Sequence, residues 1–180
     1  MPNLPAISLF SGAGGLDLGC EQAGFQTVAA VEIDERARAT MSQNAAAFFP
    51  ELDCDPVVGA LFEDITETPP GLLLERAGLR RGEAALLHGG PPCVAFSKTG
   101  YWLPFKREDR DPKATLVDWF AGMAAETKPK AVLMENVYGL VYKRSRHHLD
   151  RFLAMMDEAD YEMRFEVLLA ADYGVPQIRQ

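Results

Sequence analysis

Three short segments of this 180-residue sequence carry residue types suited to chemistry, at spacings that matter. The first is Phe10-Ser11-Gly12-Ala13-Gly14-Gly15-Leu16, lying between an apolar run and an amphipathic stretch. Its glycines let a ligand approach bare backbone and the N–H groups that open a helix. Glu32 follows Gly12 by 20 positions, at the end of the next apolar run. In nucleotide-binding α/β folds, an acidic residue so placed accepts hydrogen bonds from ribose hydroxyls. The pair points to an adenosine-containing cofactor and leaves open a dinucleotide or S-adenosyl-L-methionine. A tight strand-to-helix turn with a solvated Glu gives the same pattern without any ligand.

The second segment is Gly89-Gly90-Pro91-Pro92-Cys93-Val94-Ala95-Phe96-Ser97. Its prolines and glycines hold Cys93 in a restricted path just past a predicted central strand, where ligands of open α/β sheets bind. An isolated cysteine is ordinarily a small buried hydrophobe. That suits Cys20 on an apolar helix face, and Cys54 has no context for another role, but the polar loop around Cys93 makes no use of a hydrophobe. The third segment is Glu135-Asn136-Val137, directly after the apolar run Ala131-Val132-Leu133-Met134. A carboxylate at the end of a buried strand is desolvated, which favours its protonated form and lets it donate a proton. The structural alternative is a strand-end Glu in an ion pair.

Alternating apolar runs and amphipathic stretches indicate an α/β fold with a mostly parallel sheet. Strands are predicted at Ala6 to Phe10, Thr27 to Glu32, Leu61 to Asp64, Ala84 to Leu87, Ala131 to Met134 and Glu162 to Leu169. The fourth and fifth are uninterrupted apolar runs, which suits the middle of the sheet. Helical faces are expected from Leu16, Cys20 and Ala23; from Ala37, Met41, Ala45 and Phe48 after an Asp34 N-cap and before Pro50; from Leu116, Phe120 and Met123; and from Leu149, Phe152, Leu153 and Met156. His88 to Lys113 is too rich in Gly, Pro and charge for regular structure and reads as an active-site loop.

With 48% hydrophobic and 24% charged residues, the chain suits a globular protein of about one domain. No apolar stretch is long enough to span a bilayer and no export signal opens the chain, so a cytoplasmic location without membrane partners is expected. Three cysteines at these spacings exclude a disulfide scaffold and fit neither a zinc site nor a CxxC pair, so no metal is expected. A net charge of −8 argues against a generic nucleic-acid binder. The average conceals two basic segments, residues 98–113 at net +2 and residues 143–151 at net +3. Both follow the strands that deliver Cys93 and Glu135, so they are expected to flank the pocket where phosphates approach.

Together with Asp172-Tyr173-Gly174-Val175-Pro176-Gln177-Ile178-Arg179, the three segments resemble the cytosine carbon-5 methyltransferases of DNA, from about Ile7 to Gln180. The resemblance implies a Rossmann-like, S-adenosylmethionine-dependent methyltransferase fold, a mostly parallel sheet with helices on both faces. It implies Cys93 as the nucleophile that adds to cytosine carbon-6, Glu135 as the acid at ring nitrogen 3, and Arg179 as a support of the catalytic pocket. The target base must be flipped out of double-stranded DNA to reach them. For S-adenosyl-L-methionine, the resemblance implies contacts from Phe10, Ser11, Gly12, Gly14, Gly15 and Leu16. Glu32 and Ile33, Asp64 and Ile65, and Pro92 and Leu116 complete that set.

Val94 replaces the Gln common in the family, and Lys113-Ala114 stands where Arg-Gly is usual. The family's second arginine, its inserted antiparallel strand and its target recognition domain would follow Gln180. Residues 1–180 are therefore expected to be a catalytic and cofactor-binding domain that needs a C-terminal part or second subunit. A tRNA cytosine-5 methyltransferase and a non-catalytic module of the same fold are the competing readings. A nicotinamide-dependent oxidoreductase gives no account of the Pro-Pro-Cys loop.

Overall fold

The computed structural model describes residues 4–92, 116–143 and 145–177. They pack as two compact units, one of Met1–Pro91 with Trp119–Glu135 and one of Pro92–Asp118 with Asn136–Gln180.

The first unit is a five-stranded parallel sheet built from β1 (Pro5–Leu9), β2 (Gln26–Val31), β3 (Leu61–Phe62), β4 (Leu86–Gly89) and β5 (Ala131–Met134), in the order β3-β2-β1-β4-β5. The strands alternate with α1 (Gly15–Gln22), α2 (Glu35–Phe48), α3 (Pro70–Arg76) and α4 (Leu116–Thr127). Right-handed crossovers place α1 and α2 on one face, because they carry the chain from β1 towards β3. They place α3 and α4 on the other, because these carry it back towards β5. Ala6 and Leu86 pack with Cys20, Leu16 and Phe25 on the α1 face.

Local chemistry sets the helix ends. Asp34 caps α2 by accepting from the N–H groups of Arg36 and Ala37 at 2.9 and 3.0 Å. The α2 stripe buries Met41 and Ala45 but turns before its end, so that Phe49 is buried while Phe48 is 47% exposed. On α1 the apolar face is interrupted: Ala23 is the exposed C-cap, and Asp17 is fully buried instead. α3, which the apolar periodicity does not reveal, opens on Pro70 with Leu73 and Leu74 buried.

Three expectations are corrected. β4 is interior and wholly buried, but β5 is the edge of the described sheet, with Leu133 46% exposed. A continuous apolar run fits an interior strand or an edge strand with an uncovered face, and composition does not separate them. His88 belongs to β4, in register with Ser8 and Leu133, and is not part of the following loop. Glu162 to Leu169 forms no strand among the described residues, since its backbone finds no ladder partner there.

In the second unit, a 3-10 turn (Tyr138–Val141) packs with α5 (Arg146–Glu158), which buries Leu149, Phe152 and Met156. Tyr138 and Tyr142 meet edge to face at 5.4 Å. A second 3-10 turn, Ala170–Tyr173, ends at Gly174 with φ +82°.

Among the described glycines the closest approach lies where β1 meets β4: a Cβ on Gly89 would overlap the Leu9 carbonyl oxygen. That obstacle is strand backbone and cannot swing away. Gly89→Ala should therefore destabilise the protein by about 3 kcal/mol or more, measured by urea denaturation. Gly71→Ala, whose added methyl meets nothing within 4 Å, is the control and should leave stability within about 1 kcal/mol.

Candidate functional site

β1 has β2 on one side and β4 on the other, so the chain leaves these strands in opposite directions and opens a crevice at their carboxyl ends. The structure brings the exits of all five strands of the first unit to this edge. They are Phe10 to Gly14 after β1, Glu32 to Asp34 after β2, Glu63 to Ile65 after β3, Gly90 after β4 and Glu135 after β5.

The β1 exit is tightly wound. Phe10 is half-buried with φ +57°, a left-handed conformation that costs a non-glycine residue roughly 1–2 kcal/mol. Gly12 and Gly14 also have positive φ, at +56° and +88°. Gly14 is needed for a second reason, since a Cβ there would lie 2.8 Å from the Phe49 ring. Positions 12 and 15 have open space where a side chain would stand, leaving backbone accessible. Ser11 fastens the turn to the sheet: its N–H donates to Val31 O at 3.2 Å and its hydroxyl to Ser8 Oγ at 2.8 Å. Leu16 packs against the core of the α1 face.

Glu32 joins two of these exits. One carboxylate oxygen accepts from Gly12 N–H at 2.7 Å and the other from Asp34 N–H at 2.8 Å. Each oxygen keeps a second lone pair for an incoming hydroxyl. The neighbouring Ile33 is 65% exposed at the rim. After β3, Asp64 accepts from the N–H and hydroxyl of Thr66, both at 2.8 Å, and Ile65 is buried. These residues fit an adenosine: a carboxylate for hydroxyls, bare glycine backbone and apolar side chains at one edge.

Glu135 is exposed rather than desolvated, which corrects the expectation from its strand. Among the described residues β5 is the edge of the sheet and Glu135 follows it at an exposed position. The Glu135 N–H donates to Gly89 O at 2.9 Å, and Oε2 lies 3.1 Å from where a Cβ on Gly90 would stand. Gly90 thus makes room for this carboxylate. Pro92 and Leu116 are half-buried members of the second unit. Cys93, Arg179 and the basic segment 98–113 lie outside the described residues, as does Arg144. In the other basic segment, Arg146 pairs with Asp150 at 2.7 Å and Arg151 with Asp118 at 3.3 Å, while Lys143 is exposed.

A polar layer under the β1 turn has no sequence signal beyond the residue types. Ser8 and His88, in register on β1 and β4, share the α1 face with Asp17 of α1. Both Asp17 and His88 are fully buried, and among the described residues no full hydrogen bond reaches the carboxylate oxygens or ring nitrogens. Burial pushes the Asp17 carboxyl up to about 6, which the nearby Ser8 hydroxyl only partly offsets. Burial also pushes His88 down to about 4.

The model of the family described as C-5 cytosine-specific DNA methylase matches residues 4–180. The chain is 41% identical over 189 residues to the Type II methyltransferase M.SacI of Streptomyces achromogenes, with 98% of this chain and 46% of that protein covered. It is 37% identical to M.AquIA of a Picosynechococcus strain, covering 97% of this chain and 68% of that protein. The chain thus spans less than half the length of M.SacI and about two thirds of M.AquIA. Among solved structures, an E. coli prophage-encoded protein described as a DNA modification methyltransferase superposes with TM-score 0.75 at 28% identity, covering 98% of this chain and 44% of that one. The Dnmt2 methyltransferase of S. pombe shares the fold, with TM-score 0.65 at 16% identity over 98% of this chain and 46% of that one.

The polar layer makes opposite contributions to stability against pH. Asp17, raised from 3.8 to about 6, keeps its proton longer when folded, so its stabilisation is present below pH 3.8 and lost as pH rises to about 6. His88, lowered from 6.5 to about 4, takes a proton more readily when unfolded, so its stabilisation is present above pH 6.5 and lost as pH falls to about 4. Each difference corresponds to roughly 3 kcal/mol. Relative to wild type, Asp17→Asn should gain about that much between pH 4 and 6. His88→Gln should lose about that much between pH 4 and 6.5. Urea denaturation across this range measures both slopes.

Proposed function

Because the chain belongs to the C-5 cytosine-specific DNA methylase family, we propose that residues 1–180 form the catalytic and cofactor-binding part of an enzyme that methylates carbon-5 of cytosine in double-stranded DNA. The methyl donor is S-adenosyl-L-methionine. The observation that carries this reading is the Glu32 carboxylate bound to Gly12 N–H at the reversal of strand order, with open space over Gly12 and Gly15. When bound, the donor supplies an electrophilic methyl group. Glu32 would hold its ribose hydroxyls, Phe10, Ile33 and Ile65 its adenine, and Asp64 the adenine edge. The β1 turn from Ser11 through Gly12, Gly14 and Gly15 to Leu16 would receive the remainder.

The chemistry required of the side chains follows from the substrate. Cytosine carbon-5 is a weak nucleophile until a thiolate adds at carbon-6, which is the task of Cys93. Addition places electron density on ring nitrogen 3, where Glu135 shares a proton and lowers the barrier. Its exposure in this structure leaves it accessible to a flipped base. Once carbon-5 carries the methyl group, transfer of its proton to water lets the C5–C6 double bond re-form as the bond to sulfur breaks, which releases the Cys93 thiolate. Arg179 supports the pocket.

The curated relatives are named Type II methyltransferases, so a restriction-modification role is proposed for this protein. Target recognition is assigned to a part like the unmatched share of those relatives, in the same polypeptide or a second subunit. No described helix is long and apolar enough to cross a membrane, and no metal-binding cluster occurs among the described residues. We place the protein in the cytoplasm.

Glu32→Ala should weaken S-adenosyl-L-methionine binding by about 10- to 100-fold in calorimetry, the loss of charge-assisted hydrogen bonds worth about 1.5–3 kcal/mol. With a recognition part supplied, duplex DNA containing 5-fluorocytosine should form a denaturant-resistant adduct that Cys93→Ser abolishes. Absence of an adduct would favour a non-catalytic module. Methyl transfer to tRNA but not to duplex DNA in a parallel assay would overturn the choice of substrate.

A further inference from the structure

Arg38 connects exits of the sheet that the cofactor reading treats separately. It lies in the first turn of α2, where its N–H donates to Asp34 O at 3.0 Å. Its Nη1 donates to two successive carbonyls, those of Glu32 at 2.7 Å and Ile33 at 2.8 Å. Its Nη2 lies 3.5 Å from Glu63 Oε2, after β3. One guanidinium therefore holds the β2 exit and reaches the β3 exit, while the Glu32 carboxylate ties the β2 exit to Gly12 after β1.

These contacts differ in strength. The Arg38 side chain is 18% exposed, whereas that of Glu63 is 72% exposed, so water screens the ion pair. The carbonyl contacts are shorter and charge-assisted, and the one to Glu32 is partly buried. They fix the peptide planes on both sides of Ile33, which aims the Asp34 N–H at Glu32 Oε1. A carboxylate on a flexible side chain reads a diol only if it is already aimed. Arg38 has the planar fork needed to hold two carbonyls and a carboxylate together, which a lysine ammonium lacks.

We infer that Arg38 is a positioning residue for the cofactor: by gripping the Glu32 and Ile33 carbonyls, it pre-aims the Glu32 carboxylate at the ribose hydroxyls. This inference rests on the S-adenosyl-L-methionine reading of the site. Arg38 acts through Glu32, and its grip is on the chain's own backbone.

The test is calorimetric binding of S-adenosylhomocysteine and its 2′-deoxy and 3′-deoxy analogues to the whole chain, with circular dichroism as a check on folding. Wild type should bind the ribose form about tenfold or more tightly than the deoxy forms, the discrimination expected when hydroxyl loss leaves a polar group unpaired. Arg38→Ala should weaken the ribose form and bring that ratio towards one, with little change for the deoxy forms. Arg38→Lys, which keeps the charge, should give an intermediate ratio. In a Glu32→Ala background, Arg38→Ala should cause no further change in the ratio. An unchanged ratio in both Arg38 variants, or equal weakening of every ligand, would overturn the positioning role. If Arg38→Ala does not fold, the ratio in Arg38→Lys decides between the two. Should Glu32→Ala keep the wild-type ratio, the ribose-binding role of Glu32 fails and the inference fails with it. If Glu32→Ala loses the ratio while both Arg38 variants keep it, only the role of Arg38 fails.

Discussion

Pairing of β1 with strands on both sides is the constraint from which the site follows. β1 pairs in parallel with β2 and with β4, and the connections out of β1 and β4 run in opposite directions across the sheet. Parallel pairing puts all carboxyl ends at one edge, and the divergence keeps connecting helices from filling the space between them. The approach of β1 to β4 is close enough to require glycine at position 89. The next glycine, Gly90, then leaves room for the Glu135 carboxylate. Consecutive glycines thus serve different neighbours, one the β1 backbone and the next the Glu135 carboxylate.

Glu32 has a structural role that suits the function proposed for it. In the structure its oxygens accept the N–H groups of Gly12 and Asp34, donors that the turn and the helix start would otherwise leave to water. The carboxylate is thereby ordered before any ligand arrives, which lowers the entropic cost of binding. The left-handed conformation of Phe10 is a local cost at the same edge. Strain of this kind persists where surrounding structure enforces it, and here Ser11 holds the turn by bonds to Ser8 and Val31.

The sheet and its glycine turn were legible because their signals are local. Apolar runs mark the strands, Asp34 marks a helix start, and Gly12 with Glu32 has a spacing that strand-helix-strand geometry explains. What was not legible depends on neighbours. Val132 and Leu133 belong to the same kind of run as Leu86 and Leu87, yet only β4 has a strand on each side. Glu135 follows an apolar run, but its solvation depends on whether that run lies inside the sheet or at its edge. Phe165, Val167 and Leu168 have strand-like composition and are exposed, with no described partner to form a ladder. Arg38 carries no motif at all, since its role depends on two carbonyls made available by the turn before its own helix.

The buried polar layer is the place where local stability and sequence pattern disagree most. An apolar residue at position 17 would extend the helix face begun by Leu16 and Cys20, and one at position 88 would extend the run of β4. Instead Asp17 and His88 are buried without full hydrogen-bonding, beneath the strand whose end forms the glycine turn. Such an arrangement lowers stability where the groups are charged, and burial shifts each towards its neutral form, so that His88 stays neutral above about pH 4 while Asp17 is neutral only below about pH 6. Ser8 is in register with His88 and receives the Ser11 hydroxyl, so the layer is continuous with the turn. These buried polar groups lie next to the strand that ends in the glycine turn, which is where rules of core packing are expected to yield to those of a binding site.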